Sequence, residues 1–258
     1  MAHKVFENEV LSNKMNDILT TGVNINNYLT VDTTMQQGAG MKKVINTYTS
    51  TGDVEALAMG AGNGEGIEVT FTPAEYDVLT YQGKFEFYDE QEMQDPFIVD
   101  TGLQHAGDRM INKFTAAAIA EYDKATLIQE GAAWNFDVVV DAIAKLNIED
   151  ESGLFLMVSP ADQAAIRKAL KDQLSYAEGF VRTGYIGSVC GVPVIVSKAV
   201  GAGKGYLATK AAVTTFLKKD TEIEYERDAE LRKNKYIVRK FGVVALTDAT
   251  KVVKINIA

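Results

Sequence analysis

A chain of 258 residues that is 47% hydrophobic and 24% charged has the composition of an ordinary folded protein, with room for one elaborated domain or two small ones. No run of about 18 apolar residues occurs, so no membrane span is expected; the charged start Met1-Ala-His-Lys-Val-Phe-Glu lacks the apolar stretch of a secretory signal, and a reducing cytoplasm is the expected place of synthesis. The formal charge of −9 conceals an asymmetry, because residues 198–258 carry 13 Lys/Arg against 7 Asp/Glu while residues 1–197 carry 13 against 28. That balance excludes a uniformly basic nucleic-acid face and leaves two readings open: complementary surfaces meeting between copies, or solvated faces of one monomer.

Residues 5–19 place Val10, Leu11, Met15, Ile18 and Leu19 near helical spacing, and an Asn/Thr-rich stretch follows through Gly40, which reads as an N-terminal arm. From Val44 the pattern becomes extended. Val44–Thr51 and an alternating run from Ile67 through Phe71, Tyr76, Tyr81, Phe85 and Phe87 form a long hairpin over residues 44–92, joined by the glycine-rich tip Gly60–Gly66. A two-stranded hairpin is marginal alone in water and its free edges invite pairing, so this arm is expected to lie on a neighbouring subunit. The tip fails the dinucleotide fingerprint because strand-like residues, not a helix, follow it.

Asp89, Glu90, Glu92 and Asp95 lack the spacing of a calcium loop and read as a solvated or interface acidic strip. Asp95-Pro96 then signals a helix start, with Asp as cap and proline in the first turn. Val99, Leu103, Ala106, Met110, Phe114 and Ala117/Ala118 form its buried stripe, and the helix is expected to run to about Lys124. A compact α/β unit follows: a helix opening at Asn135, a buried strand at Leu154–Val158, a helix capped by Ser159 running to about Leu174, a glycine-punctuated loop over 179–191, and Val192–Val196. β character returns at Val213–Leu217, Ile223–Tyr225, Tyr236–Leu246 and Lys251–Ile257, strands expected to pair with the end of the hairpin beside the long helix.

Chemistry-bearing candidates are few. Cys190 has no partner cysteine and is expected to be a small buried residue; His3 and His105 are the two histidines. Gly201-Ala-Gly-Lys204-Gly205 departs from a phosphate-cradling loop, since Lys204 is followed by glycine where Ser or Thr would reach magnesium, and a flexible turn is the better reading. Arg227, Arg232, Lys233, Lys235, Arg239 and Lys240 form the densest basic cluster, interleaved with Glu222–Glu230, and mixed signs at this density favour ion-pair networks within or between subunits over phosphate tracking. No catalytic, cofactor-binding or metal-binding residue is assigned.

The order of these elements resembles the major capsid protein of tailed double-stranded-DNA bacteriophages, the Hong Kong 97-type fold shared with encapsulin nanocompartments. The signals are Tyr81-Gln-Gly-Lys-Phe-Glu-Phe87 running into Asp95-Pro96, Val158-Ser-Pro-Ala-Asp162, Gly191-Val-Pro-Val-Ile-Val-Ser197, Phe241–Leu246 and Lys251–Ile255, which together span nearly the whole chain. The resemblance implies an α+β subunit with an N-terminal arm (1–43), an extended β-hairpin loop (44–83), a peripheral domain with a long spine helix (84–130 and 205–258) and an inserted α/β axial domain (131–204). It implies a non-enzymatic shell subunit, assembled in the host bacterial cytoplasm into the pentamers and hexamers of a virion enclosing DNA that it touches without sequence readout. Scaffolding, portal and decoration proteins are the further partners, and no membrane is involved.

Subunit contacts are expected from Leu57, Met59, Asn63, Glu65 and Glu68 on the loop and from the basic candidates Arg227, Arg232, Lys233 and Arg239. No lysine or arginine lies between Val44 and Gly83, so covalent cross-linking through a loop lysine, known in some family members, is not expected. A separate scaffold and an earlier, removed segment both stay open. The alternatives are an encapsulin-like shell and, from a different class, a soluble α/β nucleotide-binding enzyme built around Lys204.

Overall fold

The computed structural model describes residues 25–62, 64, 66–170 and 187–257. The apolar spacing over residues 5–19 and most of the 179–191 loop lie outside them. In chain order the elements are β1 (Thr30–Asp32), β2 (Lys42–Thr51), β3 (Glu68–Asp77), β4 (Leu79–Tyr88), α1 (Asp89–Gln94) and α2, the spine helix (Ile98–Tyr122). They continue with β5 (Leu127–Gly131), α3 (Phe136–Leu146), β6 (Leu154–Val158), α4 (Pro160–Ala169), β7 (Ser188–Val189) and β8 (Val192–Val196). β9 (Lys204–Thr209), β10 (Val213–Asp228), β11 (Lys233–Leu246) and β12 (Val252–Ile257) complete the chain.

Strands β2 and β3 form a separate two-stranded ribbon, paired from Lys42↔Asp77 to Thr51↔Glu68. Here the structure corrects the sequence reading, which carried the hairpin on through Phe87. The consecutive apolar pair Val78-Leu79 interrupts the alternation: Val78 is buried and donates its N–H to the Met41 carbonyl at 2.8 Å. β4 then leaves the ribbon and becomes the edge of a four-stranded sheet of order β1-β10-β11-β4. Gly52 turns the chain out of β2 with φ +95°, and a Cβ there would sit 2.7 Å from the Gly66 carbonyl oxygen, so this position requires glycine.

The spine helix packs Leu103, Met110, Phe114, Ala118 and Tyr122 into the core, the i, i+3/i+4 spacing expected of it. Its first residue falls later than the sequence signal: Phe97 is the N-cap, while Asp95 accepts the Phe97 N–H and closes the turn before it. The acidic stretch Asp89–Gln94 is itself a short helix, with the Gln91 side chain accepting from the Tyr88 N–H. Phe85 and Tyr236 stack at 5.1 Å across β4 and β11, and Gly102 lets the Phe85 ring lie against the helix, since a Cβ there would approach the ring to 2.7 Å.

The second sheet has the order β5-β12-β9-β6-β8-β7. Its central strand β6 is buried along its whole length, because Phe155 and Met157 face the core shared with the spine helix while Leu154, Leu156 and Val158 face α3 and α4. A strand covered on both faces must be apolar at every position, which is why Leu-Phe-Leu-Met-Val shows no alternation. The helix caps follow the sequence: Asn135 accepts from the Val138 N–H and Ser159 from the Asp162 N–H.

β12, the expected Lys251–Ile257 run, does not join the other late strands, and β9, which the sequence pattern does not pick out as a strand, lies beside it. They insert between β5 and β6, β12 running parallel to β5 and antiparallel to β9. Their apolar runs resemble those of β10 and β11, so the pattern alone does not name the partner. The segments Val213–Leu217 and Ile223–Tyr225 are one 16-residue strand, irregular in register between Leu217 and Glu222.

Candidate assembly interface

Alternation along the ribbon sorts its side chains into two unlike faces. Val44, Tyr48, Val69, Phe71 and Pro73 share one face, and Thr47, Thr49, Thr51, Thr70 and Thr72 share the other. Tyr48 is 65% exposed and Phe71 64%, and their mutual contact at 6.3 Å is tilted. At the connection, Leu57 and Met59 also stand in solvent, as does Glu68 at the start of β3. Asn63 and Glu65 lie outside the described residues. Only the base is anchored: Ile45 and Tyr76 pack against Val78, Phe216, Val243 and Ala245, Lys42 meets Glu75 at 2.9 Å, and Lys218 donates to the Met35 carbonyl at 2.9 Å. Among the described residues, nothing packs on the face of the distal ribbon that carries Tyr48, Val69 and Phe71.

The basic cluster is neutralised within the subunit. Arg227 meets Asp89 at 2.7 Å, Arg232 meets Glu90 at 2.7 Å, Lys233 pairs with Glu86, and Lys235 meets Glu226 at 2.6 Å. Arg239 reaches Glu224 at 2.7 Å and Gln82 at 2.9 Å. Hydrogen bonds from Lys233, then Lys84, bring the Glu86 carboxyl down to about 2. Asp89 also accepts from Asn234, which in turn accepts from the Tyr225 hydroxyl at 2.6 Å. Asp89 and Glu90 of the acidic strip and Arg227 and Arg232 of the basic cluster, far apart in sequence, are therefore each other's counter-charges. Sequence reasoning recognised the mixed signs but had no signal for this partnership, which depends on β4 pairing with β11.

Lys204 is likewise committed. Its ammonium lies 3.1 Å from Asp123, whose same oxygen accepts from Lys254 at 2.8 Å and from the Tyr206 hydroxyl at 3.0 Å. Lys254, ahead of the burial that opposes it, holds the Asp123 carboxyl at about 2. Gly203 donates its N–H to buried Asp162, which also accepts from Trp134 Nε1 at 2.9 Å and Ser159 Oγ at 2.5 Å. The glycine-rich turn is thus a fixed corner tied to the core. Cys190 is half-buried rather than fully buried, because it shares with Gly191 a left-handed two-residue turn between β7 and β8 (φ 53° and 80°), and burial pushes its thiol up. Among the described residues no group of three or more His, Cys, Asp or Glu could hold a metal, and no helix is long and apolar enough to cross a membrane.

One concave surface that sequence reasoning missed lies between edge strand β4 and the spine helix. It is a groove of about 750 Å³. Its charged lining is Lys84, Arg109 and Lys113, joined by the imidazole of His105, and among the described residues no carboxylate lines it. His105, Arg109 and Lys113 stand at i, i+4, i+8 on the helix, which puts them in one row. The signal was in the sequence, but only the position of β4 turns that row into the wall of a groove.

A ribbon projecting from a spine-helix-and-sheet layer, with a second sheet carrying its own helices, defines a shell subunit of the Hong Kong 97-type capsid fold. The mature capsid protein of bacteriophage PhiM1 superposes with a TM-score of 0.70 at 13% identity, covering 90% of this chain and 86% of that one. The holo-SrpI encapsulin of Synechococcus elongatus superposes with a TM-score of 0.64 at 11% identity, covering 90% and 86%. Residues 71–255 match the family model described as phage capsid protein, and the chain belongs to that family. It is similar to the major capsid protein of Staphylococcus phage phiMR11, 24% identical over 259 residues that cover 96% of this chain and 92% of that protein.

Proposed function

We propose that this chain is the major subunit of a phage head, self-assembling into the pentamers and hexamers of an icosahedral shell around double-stranded DNA. One observation carries the reading: the ribbon's distal half exposes Tyr48, Val69 and Phe71 on a single face, with no core beneath them among the described residues. Burial of such a face at about 25 cal/mol per Å² favours association, and a surface of this kind on a protein is a contact site by default. In this reading the ribbon, residues 42–77, is the extended loop that overlaps an adjacent subunit; Leu57, Met59, Asn63, Glu65 and Glu68 lie on or beside it. The spine helix with the four-stranded sheet is the peripheral domain, and the six-stranded sheet with α3 and α4 is the axial domain. DNA is touched without base readout, scaffold and portal are partners, assembly takes place in the bacterial cytoplasm, and no catalytic role is assigned.

Deletion of Leu57–Gly66 tests the claim. The expected product is a folded subunit, by circular dichroism, that sediments as small species and shows no shells by negative-stain microscopy. Normal shells from the deletion would sink the interface role. A second reading, an encapsulin-like compartment, is favoured by the fold shared with the SrpI shell; mass spectrometry of purified particles separates the two, with phage structural proteins and DNA in one case and an enzyme cargo in the other.

A further inference from the structure

Resting on the reading that an adjacent subunit captures the ribbon, we propose that Lys218 is the residue that sets the ribbon's direction, by clamping the strap between β1 and β2 to the four-stranded sheet. The strap has few other ties. From Gln36 to Met41 every residue is exposed, Gly38 and Gly40 stand in open space with nothing within 4 Å of an added Cβ, and Gly40 takes φ +116°. Such a stretch, Gln-Gln-Gly-Ala-Gly, has the backbone freedom of a hinge. Met35 packs on the Val78 and Phe216 cluster, and the ammonium of Lys43, at the start of the ribbon, lies 4.4 Å from the centre of the Phe216 ring.

An irregularity in β10 aims Lys218 at the same point. Leu217 pairs with Gly242 and Lys219 with Phe241, so Lys218 is the extra residue of a bulge, the device by which a strand redirects a side chain. Gly242 makes room for it, since a Cβ there would lie 3.0 Å from the Phe216 carbonyl oxygen. The ammonium donates to the carbonyls of Met35, at 2.9 Å, and of Gly38, in and just past the short 3-10 helix Thr34–Gln36, where helix-end carbonyls lack partners of their own. Among the described residues Lys218 meets no carboxylate, whereas Lys219 and Lys240 beside it meet Glu222 and Asp220. An ammonium committed to two carbonyls of one strap holds position rather than balancing charge. Direction matters because the ribbon is long: the ten residues of β2 reach about 34 Å, so a tilt of about 20° at the base carries the far end about 12 Å sideways. A ribbon already held in one direction loses less freedom when it is captured, and preorganisation of this kind strengthens association.

The test compares wild type with Lys218→Met, which keeps the stem and removes the ammonium, and Lys218→Arg, which keeps the cation. Spin labels at Thr47→Cys on the ribbon and Gln104→Cys on the spine helix, both exposed positions, in a Cys190→Ser background, give the distance distribution in dissociated full-length subunits. Wild type and Lys218→Arg are expected to show one narrow distribution and Lys218→Met one about twice as broad, while unlabelled Lys218→Met needs about tenfold more protein to form shells. A broad distribution already present with Lys218 intact overturns the clamp without any Lys218 variant having to fold. So does a Lys218→Met subunit whose distribution stays narrow, or one that assembles at the wild-type concentration. Wild-type subunits that form no shells bring down the shell reading instead, and the distances still decide the clamp.

Discussion

Replacing Phe71 by alanine separates the two jobs a side chain can have, holding its own subunit together or holding a neighbour. Phe71 is 64% exposed and its ring contact in the chain is with Tyr48, itself 65% exposed. An aromatic side chain offers about 150–250 Å², so roughly 130 Å² of Phe71 is open to a partner, and at about 25 cal/mol per Å² its burial contributes about 3 kcal/mol per contact. That corresponds to a rise of about 100- to 200-fold in the dissociation constant of each ribbon contact. The free subunit loses little, because the ring is largely exposed, and its Tm should move by less than about 2 °C. Sedimentation velocity across a concentration series reads the first quantity and calorimetry on dissociated subunits reads the second. A marked fall in Tm together with unchanged assembly would refute the reasoning, since Phe71 would then be core to its own fold.

Two further outcomes follow from the body of the subunit. Asp123 has its carboxyl held at about 2, so its ionic contacts stabilise the fold above the ordinary carboxylate range near pH 4, and this contribution is lost as pH falls through about 2; urea titrations at pH 5 and pH 2.5 should show a smaller drop in midpoint for Asp123→Asn than for wild type. Gly102→Ala pushes a methyl group into the Phe85 ring, which it would meet at 2.7 Å, and should cost about 1–3 kcal/mol by urea unfolding.

Local rules wrote much of this molecule into its sequence. The Asn135 and Ser159 caps, the spine stripe through Leu103, Met110 and Phe114, and the fully buried Leu154–Val158 strand are each determined by neighbours within one or two turns or by continuous apolarity. What stayed hidden depends on distant partners. Nothing in the apolar run Val252–Ile257 names its partner, and the structure pairs it with Leu127–Gly131 and β9 rather than with β11. The ribbon's end at Asp77 was masked by the aromatic residues of β4, which continue the extended pattern while changing sheets. Likewise, Arg227 and Asp89 are separated in sequence by the spine helix and five strands of the six-stranded sheet, so a basic cluster that looked available is already occupied. Arg109 and Lys113 lie off the buried stripe of the spine helix, and only the placement of β4 gives that side an opposite wall.

The ribbon's lack of cations has a practical meaning for anyone handling particles. Trypsin, which cuts after lysine and arginine, has no site from Val44 to Gly83, so this segment survives digestion whether seated or swinging free. Intact ribbon after trypsin therefore carries no information about assembly. Proteases that cut after glutamate or after aromatic residues find Glu55, Glu68, Tyr48 and Phe71 along it, and exposed segments are where nicking concentrates. With these enzymes, the same strip of chain becomes a clock for the moment a subunit is captured by its neighbour.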